Sequence, residues 1–159
     1  MDEHMTHHVS CGLLVRPGHV FLVHRSPSKA WFPDVWDLPG GHVKPGESSR
    51  QALVRERRAE LGVEITPPDG NALLTRRTAD ALLEAWRVNG WVGNIVNAAP
   101  DGHDASSRFS LDEATSLDLA DDEHPALFKH VLTQSLRYRS PPAGPEFVKV
   151  NEASVSLGG

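Results

Sequence analysis

Short apolar stretches separated by turn residues dominate the first two thirds of the chain, and they predict a protein rich in strands. A run of about four to eight apolar residues bounded by Gly, Pro, Asn or Asp is typical of a buried strand. The dipeptide Asn89-Gly90 is a strong hairpin signal, so we expect the strands that flank it to be antiparallel neighbours in the central sheet. The predicted strands are Val9–Val15, Val20–Arg25, Val35–Leu38, Val63–Thr66, Asn71–Thr78, Leu82–Val88 and Trp91–Val96.

Three segments carry the pattern of helices instead. The first, Ser48–Leu61, contains no Gly or Pro and is rich in Gln, Ala, Leu, Arg and Glu, which favour the helix. Gly62 follows at the point where a helix end favours a left-handed residue, and Gly46 lies before the helix in a turn that a glycine can enter at positive φ. We also predict a short helix at Leu111–Leu117 and an amphipathic helix at His124–Leu136.

Length and composition describe one ordinary globular domain. The chain has 159 residues, of which 39% are hydrophobic and 23% are charged. A chain of this size buries a sizeable core within a single domain. We expect this domain to span residues 9–137, between a disordered polar tail at 1–8 and a second tail at 138–159.

Charge and apolar content limit the kind of partner. The formal net charge is −5 and no cluster of Lys or Arg compensates for it, which argues against nucleic acid. No apolar run reaches the roughly 20 residues of a membrane helix, and the N-terminal residues lack a secretory pattern. The single cysteine, Cys11, excludes an intramolecular disulfide. We therefore expect a cytoplasmic monomer or homodimer that binds neither membrane nor nucleic acid.

Two carboxylates on the first predicted helix suggest a metal site. Glu56 and Glu60 are four residues apart, so both project from one face of the helix. They repel each other unless a positive charge lies nearby, and a hard divalent cation such as Mg²⁺ prefers oxygen ligands. The other interpretation is a solvated face on which both glutamates pair with neighbouring arginines. Arg55 follows Glu47 by eight residues and is able to fold back onto it, which would brace the preceding loop.

The stretch from Gly41 to Val63 closely resembles the Nudix box, whose pattern is G-x5-E-x7-R-E-U-x-E-E-x-G-U with U an aliphatic residue. The sequences WDLPGG before the box and FSLDE at Phe109–Glu113 also resemble the family, so the resemblance extends over roughly residues 9–136. The chain is thus similar to the MutT-like Nudix hydrolases. The matching positions of the box are Gly41, Glu47, Arg55, Glu56, Glu60, Gly62 and Val63.

The resemblance implies an α+β fold in which a mixed β-sheet is sandwiched between α-helices. It implies a pyrophosphohydrolase that cleaves a nucleoside diphosphate linked to another moiety, such as a nucleoside triphosphate or an oxidised nucleotide, with Mg²⁺ or Mn²⁺. The Gly41 carbonyl and the carboxylates of Glu56 and Glu60 would hold the metal. Glu47 and Arg55 would hold the loop against the helix.

Two positions of the box depart from the family pattern. Ala59 replaces the first glutamate of the E-E pair. Arg57 replaces an aliphatic residue on the inward-facing stripe of the helix, so its side chain must snorkel or pair. These departures motivate a second hypothesis, in which the chain has a Nudix fold that binds a nucleotide or regulates a partner without cleaving a substrate.

The loop before Phe109 departs from the pattern as well, because Gly102 stands where relatives tend to carry a glutamate. Asp101 and Asp104 are each able to replace that glutamate as metal ligand or general base, and Glu56 is the third candidate for the base. The other interpretation is that both aspartates and the intervening His103 are solvated turn residues without a role in the site.

Three residues before the box are candidates for contacts with the substrate. Arg25 ends a strand near the expected site, where it either binds a phosphate group or is an exposed edge arginine. Trp31 and Phe32 lie in the following loop, where they either stack on a base or cap the core.

Overall fold

The computed structural model describes residues 7–30, 32–98 and 103–139, with the backbone alone over the last six. The rest of the predicted tails, Trp31, Asp101 and Gly102 lie outside these residues. The elements are β1 (His7–Arg16), β2 (His19–Arg25), β3 (Trp36–Asp37), β4 (Gly40–His42), α1 (Ser49–Leu61), β5 (Glu64–Ile65), β6 (Leu74–Arg77), β7 (Ala81–Val88), β8 (Trp91–Val92), β9 (His103–Phe109), α2 (Leu111–Thr115) and α3 (His124–Arg139).

The central sheet is mixed, with the strand order β3-β2-β1-β7-β6. Two further strands join it: β4 pairs with β1, and β9 pairs with β2. Strands β1 and β7 run parallel, from the pair His7↔Ala81 to the pair Leu14↔Val88, whereas the other strand pairs of the sheet are antiparallel. Strands β5 and β8 form a separate two-stranded sheet.

Helices cover both faces of the central sheet. Successive strand residues point to opposite faces, so Leu14 of β1 packs in one apolar cluster with Leu53 of α1. Its neighbours Leu13 and Val15 pack in the other cluster, with Phe128 of α3. This arrangement confirms the predicted α+β class, with a mixed sheet sandwiched between helices. Within the described residues, no helix is long and apolar enough to cross a membrane.

Helix α1 begins and ends where the sequence predicts. The Ser48 hydroxyl accepts a hydrogen bond from the Gln51 backbone N–H (3.0 Å), and the Gln51 side chain accepts one from the Ser48 N–H (2.8 Å). Such a reciprocal pair satisfies two donors at the helix start. Gly62 ends the helix in the left-handed conformation at φ 71°, and Gly46 turns the preceding loop at φ 82°.

The predicted hairpin at Asn89-Gly90 is wrong. Strand β7 already has β1 on one edge and β6 on the other, so the following strand finds no free edge in this sheet. Neither Asn89 nor Gly90 has the positive φ that a type I′ turn requires. Instead, β8 pairs with β5, and the Thr66 N–H donates to the Gly90 carbonyl at 2.9 Å.

Several predicted strands and the short helix α2 are shorter in the structure than predicted. Three further differences concern the limits of the domain or the site. Strand β1 begins at His7, so the last two residues of the expected N-terminal tail belong to the sheet. Helix α3 continues to Arg139, past the expected end of the domain at residue 137. Strand β9 begins at His103, inside the segment that was expected to be a loop, and pairs with β2 along its whole length.

Candidate active site

The site begins where Gly41 of β4 meets Glu56 of α1. A β-carbon at Gly41 would lie 2.4 Å from Cδ and 2.6 Å from Oε1 of Glu56. Because real β-carbons do not approach other atoms so closely, only glycine leaves room for this carboxyl group. Strand β4 is fixed by its pairing with β1, in which Gly41 faces Ser10. The Glu56 carboxyl group therefore lies directly against the backbone of Gly41.

Arg55 ties the loop before α1 to the helix. Its Nε donates to Oε2 of Glu47 at 2.7 Å, and Nη2 donates to Oε1 of Glu47 at 3.0 Å and to the His42 carbonyl at 2.9 Å. The guanidinium group lowers the pKa of Glu47 to about 2, and the Lys44 N–H, which donates to the same carboxylate, adds to this effect. The contact that the spacing of Glu47 and Arg55 predicts is therefore present.

The same arginine reaches the first helix carboxylate. Nη1 of Arg55 donates to Oε2 of Glu56 at 2.5 Å, so Arg55 bridges Glu47 and Glu56. Glu60 lies one turn further along the helix, with 16% of its side chain exposed. Burial raises the pKa of Glu60 to about 7, its neighbour Arg57 opposes that rise, and the Glu56 carboxyl group adds to it.

Arg57 is fully buried, with a relative exposure of 0%. Its Nη2 donates to Oε1 of Glu60 at 2.5 Å, and its Nη1 donates to the Pro39 carbonyl at 3.0 Å. The Nε atom has no hydrogen-bond partner among the described residues. Of the two outcomes that the sequence left open, pairing is the one observed, and the partner is a predicted metal ligand.

The predicted aspartate of the β9 segment lies with a histidine. Oδ1 of Asp104 is 2.6 Å from Nδ1 of His24, and the other ring nitrogen of His24 is 3.2 Å from Oδ1 of Asp34. Among the described contacts of Asp104, none reaches Glu56 or Glu60. The structure therefore places Asp104 on the β2–β9 pair, in contact with a residue that the sequence analysis did not single out.

His103 is not the solvated turn residue that the sequence suggested, because it is only 7% exposed. Burial lowers its pKa, and the positive charges of Arg57, Lys29 and Arg25 lower it further. Its Nδ1 has no hydrogen-bond partner among the described residues. No local pattern marks this burial, since it depends on the pairing of His103 with Arg25 across β2 and β9.

Arg25 braces the loop that follows β2. Its Nε donates to the Phe32 carbonyl at 3.0 Å, and its backbone carbonyl accepts from the Asp34 N–H at 3.0 Å. Phe32 and Asp34 both have positive φ, 48° and 61°. Phe32 is 61% exposed, so it does not cap the core.

Comparison with known proteins places this geometry in a family. The family model described as NUDIX domain matches residues 6–131. A CTP pyrophosphohydrolase from Escherichia coli is 35% identical over 121 residues, which cover 75% of this chain and 87% of that protein. The solution structure of the E. coli ORF135 protein matches with a TM-score of 0.62 and 31% identity, over 86% of this chain and 94% of that chain.

A local similarity to another enzyme also exists. An isopentenyl-diphosphate Delta-isomerase from Shigella flexneri is 47% identical over 53 residues. That match covers 33% of this chain and 29% of the isomerase, so the chain spans less than a third of that relative.

The chain belongs to the Nudix family. It is a MutT-like Nudix hydrolase, a class of enzymes that act on phosphoanhydride bonds in nucleoside diphosphate derivatives. Nudix hydrolases generally use divalent metal ions and act on small nucleotide-type substrates. The resemblance stated from the sequence is thereby confirmed, together with the fold class and the enzyme class.

Proposed function

We propose that the protein is a metal-dependent pyrophosphohydrolase of nucleoside triphosphates. The observation that carries the proposal is the close approach of Glu56 to the backbone of Gly41, with Glu60 beside it and Arg55 holding the carboxylate in place. The carboxylates of Glu56 and Glu60 and the carbonyl of Gly41 offer only oxygen atoms as ligands, and Mg²⁺ and Mn²⁺ prefer such ligands.

The metal would be held by the carbonyl of Gly41 and the carboxylates of Glu56 and Glu60. When bound, such an ion neutralises charge on the phosphoryl oxygens and makes phosphorus easier to attack. Arg55 holds the loop against the helix, because its guanidinium group donates hydrogen bonds to the carboxylates of Glu47 and Glu56 and to the His42 carbonyl. The protein thus supplies a preorganised acidic site on a rigid helix.

The hydrolysis itself adds water to phosphorus and breaks one phosphoanhydride P–O bond. Glu56 accepts the proton of the water in this proposal, since its carboxylate is the one fixed on both sides, by Arg55 and by Gly41. Asp104 is the alternative acceptor, and it would act from the β9 side with His24. Asp101 lies outside the described residues and stays a prediction from the sequence.

The substrate would extend from the helix towards the loop after β2. Arg25 lies at the start of that loop and Phe32 offers an exposed ring, so we assign the phosphate group to the first and the base to the second. Trp31 stays a candidate from the sequence. The relative that acts on CTP by its name makes pyrimidine nucleoside triphosphates the first substrates to test.

Release of pyrophosphate and phosphate from a panel of nucleoside triphosphates, with and without Mg²⁺, tests the proposal. We expect metal-dependent turnover, and we expect Glu56→Gln and Glu60→Gln each to lower kcat at least about 100-fold because each removes a metal ligand. Glu64→Gln is the matched control, since Glu64 lies in β5 and pairs with Arg58, an exposed residue of the same helix. Near-normal turnover in either helix variant would contradict the assignment.

A second candidate function is a protein that binds a nucleotide without cleaving it. Ala59 and Gly102 remove two expected carboxylates, and Arg57 engages one of the two that stay on the helix. If this reading is correct, the natural chain is silent across the panel while a nucleotide still raises its Tm. The double variant Ala59→Glu with Gly102→Glu would then switch hydrolysis on, whereas measurable turnover by the natural chain would exclude this candidate.

A further inference from the structure

Arg57 introduces a positive charge into the interior of the predicted metal site. It lies on α1 between Glu56 and Glu60, and its guanidinium group is closed off from solvent. Pro39 and Glu60 accept its hydrogen bonds at 3.0 Å and 2.5 Å. An interior cation this close to a carboxylate is a strong electrostatic partner, because the low dielectric of the interior screens it poorly.

The surrounding backbone makes room for this side chain. A β-carbon at Gly12 of β1 would lie 3.3 Å from Nη1 of Arg57 and 2.9 Å from Cδ1 of Leu53. Glycine at this position therefore leaves the space that the guanidinium group and Leu53 share. Arg57 cannot withdraw towards solvent without leaving this enclosure, so its charge is a fixed part of the site.

The two departures from the box pattern, Ala59 and Arg57, change the net charge of the site. Replacement of a glutamate by Ala59 removes one negative charge, and replacement of an aliphatic residue by Arg57 adds one positive charge. Relative to the pattern, the site is more positive by two units, which is the charge of one divalent cation. The arginine that contributes half of this change is bonded to Glu60.

We propose that Arg57 is a built-in counter-ion of Glu60, which supplies charge that a divalent ion would otherwise supply and so lowers the affinity of the helix carboxylates for metal. Arg57 is a positioning residue in this account, because it is buried and acts through Glu60. A metal ion that binds Glu60 must share the carboxylate with the guanidinium group and must approach a fixed positive charge. The inference rests on the proposed function only in placing Glu60 at a metal site.

The fold alone gives no reason for this arrangement. A buried ion pair contributes little net stability, because removing both charges from water costs about as much as their attraction returns. The Nε atom of Arg57 is in addition without a partner among the described residues. An aliphatic residue, as in the box pattern, would fill the same position next to Leu53 without that cost.

Binding of Mn²⁺ to the full chain, measured by titration calorimetry or by the EPR signal of free Mn²⁺, tests the inference without any substrate. Loss of Arg57 also raises the pKa of Glu60, since Arg57 opposes the effect of burial, so the titration is made at a pH above the pKa of Glu60 in the variant. Under that condition we expect Arg57→Leu to bind Mn²⁺ at least about tenfold more tightly than the natural chain. The matched control is Arg58→Leu, since Arg58 is exposed and pairs with Glu64 on the outer face of α1. This control should bind Mn²⁺ within about twofold of the natural chain.

Further variants separate a charge effect from a folding effect. Arg57→Leu leaves Glu60 buried without its partner, so the Tm of this variant without metal should fall. The double variant Arg57→Leu with Glu60→Gln should recover Tm without gaining affinity for Mn²⁺.

If Arg57→Leu does not fold, the Mn²⁺ affinity of Arg57→Gln is measured instead, since glutamine keeps a hydrogen-bond donor and removes the charge. Unchanged or weaker Mn²⁺ binding in the folded Arg57 variant would overturn the inference. Mn²⁺ binding that is unaffected by Glu56→Gln would instead overturn the metal site of the proposed function.

Discussion

The position of the Glu56 carboxylate depends on the lack of a side chain at Gly41. The Glu56 carboxyl group occupies the volume that a β-carbon would fill, so the box requires glycine here for a steric reason. The atoms that would be displaced are the far end of a flexible side chain, which is able to move at little cost in stability. The requirement therefore concerns the position of the carboxylate more than the fold.

Gly41→Ala should accordingly separate activity from stability. We expect turnover and Mn²⁺ affinity to fall at least about tenfold, with a Tm close to that of the natural chain, because only the Glu56 carboxyl group moves. Gly18→Ala is the control: Gly18 has φ 80° and open space around its Cα, so alanine there strains the backbone away from the site. It should lower Tm and leave turnover unchanged. The reverse pattern in the two variants would refute the steric argument.

Part of this site is readable from the sequence because its members are close along the chain. Glu47 and Arg55 are eight residues apart, one on a loop and the other on the helix that follows, and this spacing allows the contact that the structure shows. The sequence does not decide between two conformations of Arg57, because an arginine on an inward-facing stripe either snorkels or pairs. The burial of His103 and the contact of His24 with Asp104 depend on the register of β2 and β9, which no local pattern contains.

At the scale of elements, the same distinction separates correct predictions from wrong ones. Helix α1 has its own N-cap, C-cap and helix-forming interior, so its limits follow from adjacent residues. The hairpin at Asn89-Gly90 had an equally strong local signal, and it fails because β1 and β6 already occupy the two edges of β7. Strand pairing is decided by the whole sheet, and turn residues alone do not determine it.

At the scale of the whole molecule, acidic groups held between elements make stability depend on pH. Asp37 of β3 accepts a hydrogen bond from the Leu38 N–H at 2.7 Å, and its Oδ1 is 3.9 Å from Nε2 of His124 of α3. Burial raises the pKa of Asp37 to about 6, and the Leu38 N–H and Arg25 oppose the rise. Between pH values of about 4 and 6, the folded protein thus keeps a proton that the unfolded chain has released.

The free energy of unfolding should therefore fall as the pH rises through this window, because the folded state binds more protons. Asp37→Asn removes the titrating group and keeps the acceptor for Leu38. Its stability relative to the natural chain should rise by about 2 kcal/mol between pH 4 and pH 7, a value reduced for the 23% exposure of the side chain. Urea unfolding at both pH values measures this difference. Asp69→Asn is the control, since Asp69 lies in an exposed loop and its replacement should give no such gain. The prediction is contradicted if the free energy of unfolding changes with pH in the same way in both variants.

The parallel pairing of β1 with β7 has a consequence for how the protein folds. His7 of β1 pairs with Ala81 of β7, so the loop that carries Glu47 and the whole of α1 lie between these two strands in the sequence. The chain between β1 and β7 must lose conformational entropy before the hydrogen bonds of this strand pair form, which slows folding. When the ribosome has synthesised only the first half of the chain, Glu56 and Glu60 are already present, but β7 and β9 of the central sheet are not.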